Sequence, residues 1–531
     1  MKVVLVQPPV WGRFQPGTFE PSTYVAQLSS CLKKSNINVS VYDLNIKLYN
    51  ERTEKYFNDW SVERKPLWMD EKWVSNYFSD NRPQIDNHIK KILSYEPDIV
   101  FFSINKNSWL FSIKTIFELE CQRKKEKKIY FIIGGEEFLA PFYINKYFKH
   151  NLIDVLMYGE DYNTIVNVVK IIENNRELHQ CFGICYRHGG DVKINPPSTP
   201  IRNLDELPFL DFSDTPFEEY NPPEHLKTHF SMMTSIGCVQ KCHFCGPIGF
   251  WRGYRTMSAK RIYDEICYHL NNNKRINFIE FLDLELNGNM KVLEEFCDLM
   301  IAKLPRENLL WHSNMIIRKE MTLDVAKKLK AAGCYHVTFG IESGSQKVLN
   351  LMNKRFLITD ANNVLRNMHE AGIKVTCNFM FGFPGETEDD FQQTLKFIKD
   401  NKEYITNAYP SRTYFTIEQN SYIASNLSEF GIVWQKGVHG QYWQNRDNTN
   451  NYLVRLNRCT RFSETAINLG INISQGVSAV KLDEVLNTAI YYKNIGKYEE
   501  AIKFYMKALE YDPKSGFIVD ELNCIKNKIK E

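Results

Sequence analysis

The chain has 531 residues, 43% of them hydrophobic and 24% charged, the balance of a globular protein rather than a disordered or membrane-embedded one. Lys and Arg number 66 against 63 Asp and Glu, so the net charge of +3 recruits no polyanion. The length exceeds one ordinary core and predicts three or four folding units.

The opening MKVVLVQPPVWG reads as a strand and its loop, not as a signal peptide. No apolar run approaches the roughly 18 residues of a membrane span, so a cytoplasmic chain is expected, with neither membrane nor nucleic acid as a partner. Strand-like runs follow at 2–7 (KVVLVQ), 38–43 (NVSVYD), 98–104 (DIVFFSI), 128–135 (KIYFIIGG) and 154–159 (DVLMYG), with helical patterns between them. Short, continuously apolar strands suit a parallel sheet covered on both faces, so residues 1–175 are predicted to be a doubly wound, Rossmann-like domain. Such sheets bind ligands at the carboxyl ends of their strands. The loops there hold Gln7 to Gly12, Ser103 to Trp109, Gly134 to Glu137 and Gly159 to Asn163. The densest basic run, Arg123 to Lys128, reads as a solvated helix end rather than a nucleic-acid patch.

Residues 176–225 read as a β-hairpin turning at Gly189 and Gly190, followed by a proline-rich linker. Cys181 and Cys185 repeat a three-residue gap but lack further ligands, which fits hairpin packing. A second βα series fills 226–440, with strands expected at FSMMTSIG, 278–286, 309–315, 336–343, 374–384 and 412–419. Six units predict a partial (βα)6 barrel of the TIM type, with chemistry at the strand C-termini. Residues 441–481 form a connector, and the Asn- and aromatic-rich stretch 420–480 shows no chemistry. The tail, 482–531, has tetratricopeptide spacing at Tyr492, Gly496, Tyr498, Ala501, Tyr505, Ala508 and Pro513. One repeat cannot stand alone, so it must pack on the rest of the chain or on a partner.

Thirteen cysteines form no disulfide pattern, and ten sit singly in apolar contexts. The other three, Cys238, Cys242 and Cys245, crowd one loop. Structural zinc wants four closed ligands, and only His243, between two of the cysteines, could complete such a set. Three thiolates on an iron–sulfur cubane leave one iron open to an exchangeable ligand. The spacing favours that open cluster.

With Phe244 in the aromatic place, the loop resembles the radical S-adenosylmethionine superfamily, whose signature is Cys-x3-Cys-x-aromatic-Cys. The resemblance implies a 4Fe-4S cluster whose open iron chelates S-adenosylmethionine. One-electron cleavage would then give a 5′-deoxyadenosyl radical that abstracts hydrogen from an unactivated carbon. It implies S-adenosylmethionine contacts at Asp283, in LDLEL where the family has Gly-Gly-Glu, and at Arg318. Further contacts are implied at Glu342 and Ser343 in GIESGSQKVLNLMNK, and at Gly382 and Pro384 in NFMFGFPGETEDDF. Glu285 joins Asp283 on one side of its strand.

The doubly wound domain ahead of the barrel is similar to the cobalamin-binding subfamily of these enzymes. That implies cobalamin at Pro8, Pro9, Ser103, Gly134, Gly135 and Gly159. The loop QPPVWGRFQ carries no cobalt-ligating histidine, and Asp86 to Lys91 (DNHIKK) lacks the glycine of that motif and falls in a helix. The expected activity is methylation of an unreactive carbon. Rearrangement, cyclisation or carbon–carbon coupling is the second reading, and a non-enzymatic docking protein the third. Expected partners are an electron donor such as flavodoxin or ferredoxin, and a substrate that is a small molecule, a peptide or carrier-bound.

Overall fold

The computed structural model describes residues 1–9, 21–57, 59–60, 67–105, 107–135, 144, 147–149, 151–160, 162–220, 229–247, 251, 253–303, 307–410, 415–418, 420–434, 440–473, 477–513 and 515–530. The chain forms two units. One is Met1–Ser235 with Arg255–Leu282 and Pro305–Leu309; the other is Ile236–Tyr254 with Asp283–Leu304 and Leu310–Glu531. Among the described residues no helix is long and apolar enough to cross a membrane.

In the first unit, β1 (Lys2–Gln7) is buried from Val3 onward, as a strand covered on both faces must be. It lies between β2 (Asn38–Asp43) and β3 (Ile99–Ser103), and β4 (Tyr130–Gly134) and β5 (Val155–Met157) extend the sheet, all parallel. The strand order 2-1-3-4-5 reverses direction between β1 and β3, which opens a crevice at their carboxyl ends. The predicted hairpin is present as β6 (Ile184–His188) and β7 (Asp191–Ile194), with Gly189 and Gly190 at φ +60° and +89°. It does not stand apart: β6 pairs antiparallel with β5 and continues the sheet to seven strands. Arg123 pairs with Glu120 at 2.6 Å and Lys127 with Asp98 at 2.9 Å, so ion pairs hold the basic run at its helix end. His88, the histidine of DNHIKK, lies in the helix Arg82–Ser94 and bonds Tyr42 at 2.7 Å.

The same unit begins the second βα series. β8 (His229–Met232) runs parallel to β9 (Phe278–Phe281), and the helix Ala259–Asn272 connects them. Leu210 in the linker donates its N–H to buried Glu265 of that helix at 2.7 Å, so the linker is anchored.

In the second unit, β10 (Leu310–Met315), β11 (Cys334–Glu342), β12 (Lys374–Phe379) and β13 (Asn407–Pro410) are parallel neighbours. Several strands are shorter than expected, the one at 374–384 ending at Phe379, and two of the differences bear on the site. β9 ends at Phe281, and Asp283 to Glu285 lie in the loop beyond it. The sixth strand is Asn407–Pro410 rather than 412–419; residues 411–414 and 419 lie outside the described set, and Phe415 to Glu418 form no strand. The aromatic run is spent on packing instead, with Phe415 against Phe383 and Trp443.

The tail folds as helices Val477–Asn494, Tyr498–Tyr511 and Gly516–Lys530 around Ala489, Ala501, Tyr505, Ala508 and Ile518. It packs on its own chain: Tyr491 stacks on Tyr452 of the helix Tyr452–Asn468 with ring centroids 5.0 Å apart.

Candidate functional site

The three clustered cysteines sit on one loop of the second unit, entered at Gly237. Its φ is +84°, and a Cβ there would lie 2.3 Å from Gly253 O, so only glycine lets the two ends of the loop meet. Cys242 is buried, and Cys238 and Cys245 are half-buried. Cys238 Sγ accepts the Gln240 N–H at 3.3 Å and lies 3.1 Å from Glu285 Oε2. Burial, then the Glu285 carboxylate, pushes the Cys238 thiol far above its ordinary range. Burial also raises Cys242, against the pull of Lys354. Thiolates in such a pocket need a bound cation to exist.

The donor set fits a cluster better than zinc. His243, the histidine among the clustered cysteines, has Nδ1 2.9 Å from Leu351 O and its ring stacked on Tyr422 at 4.7 Å. Among the described residues no three His, Cys, Asp or Glu side chains converge as ligands of a single ion. A cubane takes one thiolate per iron, so three thiols leave one iron open.

Around the loop stand the predicted cosubstrate residues. Asp283 and Glu285 are both fully buried. Glu285 accepts the Val239 N–H at 2.5 Å and so braces the cysteine loop. Burial raises its carboxyl, against Val239, Cys238 and Arg318. Asp283 shares the loop, and its carbonyl accepts Asn314 Nδ2 at 3.1 Å. Arg318 donates to the carbonyls of Asn287 and Gly288 at 3.2 and 2.9 Å and to Glu320 at 3.1 Å, which ties it to the turn after Glu285. Glu342 ends β11 at φ +65°, a left-handed conformation that a side chain adopts only at a cost. The next residue, Ser343, is fully buried, with Oγ 3.1 Å from Thr394 Oγ1. Phe244 is half-buried in the core formed by Met352, Phe383 and Ile423.

The glycine loop after β12 is held from behind. Gly382 has φ +76°, and a Cβ there would come within 2.1 Å of the Arg455 side chain. Its N–H is donated to Glu386 Oε2 at 2.5 Å, and Arg458 meets the same carboxylate at 2.7 Å. Pro384 is buried in this loop. Arg455 donates to the carbonyls of Gln441 and Trp443 at 2.7 and 2.8 Å, and its guanidinium lies 4.1 Å over the Trp443 ring. Arg455, Arg458 and Arg461 come from the helix Tyr452–Asn468, in a stretch whose sequence suggested no chemistry. Their i, i+3, i+6 spacing was the available signal. Lys354, within the quoted GIESGSQKVLNLMNK, was also passed over.

In the first unit, Pro8, Pro9, Ser103 and Gly134 cluster at the carboxyl ends of adjacent strands, with Ser103 directly opposite Gly134. Gly135 follows β4, and Gly159 follows β5 at φ +82°. A Cβ on Gly134 would meet the Phe101 ring at 2.9 Å and the Tyr24 hydroxyl at 3.1 Å. A small cavity beside the ends of β1 and β2 is lined by Gln7, Ser22, Val25, Asp43, Asp211 and Thr215. Gln7 Oε1 is buried and has no hydrogen-bond partner among the described residues. A buried amide oxygen left unpaired is costly, and a ligand carrying amide N–H groups, as cobalamin does, would satisfy it.

Residues 232–398 match the Radical SAM superfamily, and 487–515 match a tetratricopeptide repeat. The chain is 27% identical over 354 residues to an uncharacterized methyltransferase of Pyrococcus horikoshii, covering 65% of this chain and 74% of that relative. It is also 27% identical over 264 residues to the anaerobic magnesium-protoporphyrin IX monomethyl ester cyclase of Cereibacter sphaeroides, of which it spans only 42% while 48% of this chain is covered. Among solved structures, the fold resembles the cobalamin-dependent S-adenosylmethionine radical enzyme OxsB (TM-score 0.66, 16% identity, 99% of this chain and 81% of that one). It also resembles the radical S-adenosylmethionine methyltransferase TsrM of Kitasatospora setae (TM-score 0.62, 14% identity, 95% of this chain and 99% of that one).

Proposed function

We propose, from the match of residues 232–398 to the Radical SAM superfamily, that the chain is a cobalamin-dependent radical SAM enzyme that methylates an unactivated carbon. The observation that carries the reading is the loop of three closely spaced thiols, whose intervening histidine, His243, is turned into packing. Bound to this chain, a 4Fe-4S cluster with S-adenosylmethionine supplies one-electron cleavage and hydrogen abstraction, and cobalamin supplies the methyl group.

The chain's own residues supply position and electrostatics. Cys238, Cys242 and Cys245 would hold the cluster and leave one iron open to the cosubstrate. Asp283, Arg318 and Glu342 would serve as polar contacts for the amine, carboxylate and ribose of the cosubstrate. Gly382 and Pro384 would bring bare backbone to the adenine. Pro8, Pro9, Ser103, Gly134, Gly135 and Gly159 would cradle cobalamin at the sheet end, and no side chain is assigned to cobalt. The relatives named as methyltransferases support methyl transfer. The reaction requires a reductant, for which flavodoxin or ferredoxin has the right chemistry, and a substrate.

Anaerobic reconstitution should load about four iron and four sulfide per chain, and the protein should retain cobalamin. Cys242→Ala should abolish 5′-deoxyadenosine formation. A zinc-loaded protein would sink the whole reading, and failure to retain cobalamin would sink its cobalt half. The likeness to a named cyclase favours a second reading, ring closure or rearrangement without methyl transfer. Product mass decides: a gain of one methylene means methylation, and an unchanged mass or a loss of two hydrogens means the second reading.

A further inference from the structure

Lys354 is a buried cation that none of the assigned contacts uses. Its side chain is 8% exposed, and Nζ donates to Gly340 O at 2.8 Å and to Glu342 Oε1 at 3.2 Å. The ammonium also lies 5.9 Å from the ring of Phe244, which stands between two of the clustered cysteines. Burial alone would depress such an amine; Glu342 and then the thiol of Cys242 more than offset it, and the group stands above its ordinary value.

The backbone that carries this lysine is tied to the cysteine loop itself. After the short helix Gln346–Leu351, Asn353 takes φ +58° and turns the chain back, so that Lys354 N–H closes onto Leu349 O at 2.9 Å. Met352 O accepts the His243 N–H at 3.0 Å, and Asn353 Nδ2 donates to Lys241 O at 2.7 Å. Two hydrogen bonds therefore fix the distance between the lysine's anchor and the thiols. Glu342 reaches the same ammonium from the end of β11, where the register shifts between Gly340 and Glu342.

We propose that Lys354 is a positioning residue with two effects: it holds Glu342 in its left-handed conformation at the cosubstrate site, and its fixed positive charge beside Phe244 of the cysteine loop makes the cluster easier to reduce. The inference rests on the cluster reading above. A cation held in a low-dielectric pocket stabilises the more negative, reduced form of a nearby centre, and an anion in the same place disfavours it. Lys354 and Glu342 thus pull the potential in opposite directions, and removing one should not mimic removing the other.

The test is a redox titration, followed by electron paramagnetic resonance, of anaerobically reconstituted wild type, Lys354→Gln, Lys354→Arg and Glu342→Gln, all without S-adenosylmethionine. Lys354→Gln should move the midpoint to more negative potential, Lys354→Arg should keep it near wild type, and Glu342→Gln should move it positive. Equal shifts in Lys354→Gln and Lys354→Arg, or a Glu342→Gln shift in the same direction as Lys354→Gln, would mean general loosening and overturn the inference. If Lys354→Gln takes up no cluster, the other two variants decide: a Glu342→Gln midpoint that stays put or moves negative overturns it. A wild type that takes up no cluster overturns the proposed function, and this inference with it. A loaded wild type whose midpoint none of the three substitutions moves overturns this inference alone.

Discussion

Glu386 and Arg458 face each other in full burial behind the glycine loop, 2.7 Å apart. Desolvation of the carboxylate outweighs the arginine's attraction and the Gly382 hydrogen bond, and the carboxyl is pushed up from 4.5 to about 7. The folded state therefore holds this proton more tightly than the unfolded chain does. A raised carboxyl favours folding below pH 4.5, and that contribution is lost as pH rises through about 7. The difference corresponds to roughly 3 kcal/mol, at about 1.4 kcal/mol per pH unit. Glu386→Gln removes the titration while keeping the shape. Urea unfolding at pH 5 and pH 8 should show wild type losing roughly 2 to 3 kcal/mol more than the variant between the two conditions; parallel pH dependences would refute the assignment. Leaving Glu386 and removing Arg458 is the harsher change, because it strands a buried carboxylate.

At the scale of the element, the helix Tyr452–Asn468 and the loop after β12 form one device. Gly382 adopts φ +76°, and the space a Cβ would occupy is filled by Arg455, 2.1 Å away at Cγ and 2.4 Å at Cδ. Arg455 cannot swing clear, since three partners and the Trp443 ring hold it. Gly382→Ala should therefore cost about 3 kcal/mol, the sum of the left-handed penalty and the forced repacking. It should also raise the S-adenosylmethionine concentration needed for half-maximal 5′-deoxyadenosine formation. A stable variant with unchanged cosubstrate dependence would show that the loop is not clamped. This device also marks where the sequence stopped being readable. The strands from Lys2 to Met157 announce themselves because a two-sided buried strand must be continuously apolar. The three cysteines are legible because their spacing is itself the chemistry. Arg458 acquires a role only when the chain folds back across a separation of 72 residues to bring it onto Glu386, with Arg455 of the same helix arriving at Gly382, and local pattern carries no such information. The sixth strand misled for a related reason. Arg412 to Gln419 has the β-branched and aromatic composition of a strand, yet the pairing with Thr376–Phe379 goes to Asn407–Pro410, since what decides a strand is its neighbour. Likewise the hairpin at Gly189 was visible, but its pairing with β5 was not.

Across the whole molecule, the two sets of cofactor residues separate cleanly. Pro8, Pro9, Ser103, Gly134, Gly135 and Gly159 all belong to the first unit. The cysteines, Asp283, Arg318, Glu342, Ser343, Gly382 and Pro384 all belong to the second, although the βα series that carries them begins in the first. Each ligand should therefore stabilise the unit that holds its residues. A ligand at a hundred times its dissociation constant adds about 2.7 kcal/mol to the state that binds it, enough to slow local opening about a hundredfold in the segments that must order around it. Hydrogen exchange followed by mass spectrometry on the full chain reads this directly. Added hydroxocobalamin should protect peptides that contain Gln7 to Pro9 and the ends of β3 and β4. S-adenosylmethionine on the cluster-loaded protein should instead protect peptides spanning Gly237 to Cys245 and Met380 to Glu386. Protection by cobalamin confined to the second set would mean that the doubly wound sheet is scaffold, and its strand-end residues would lose their assignment. Reciprocal protection, each ligand slowing exchange in its own unit alone, would locate both cofactors without reference to the reaction, and would leave substrate identity as the property still to be read from product chemistry.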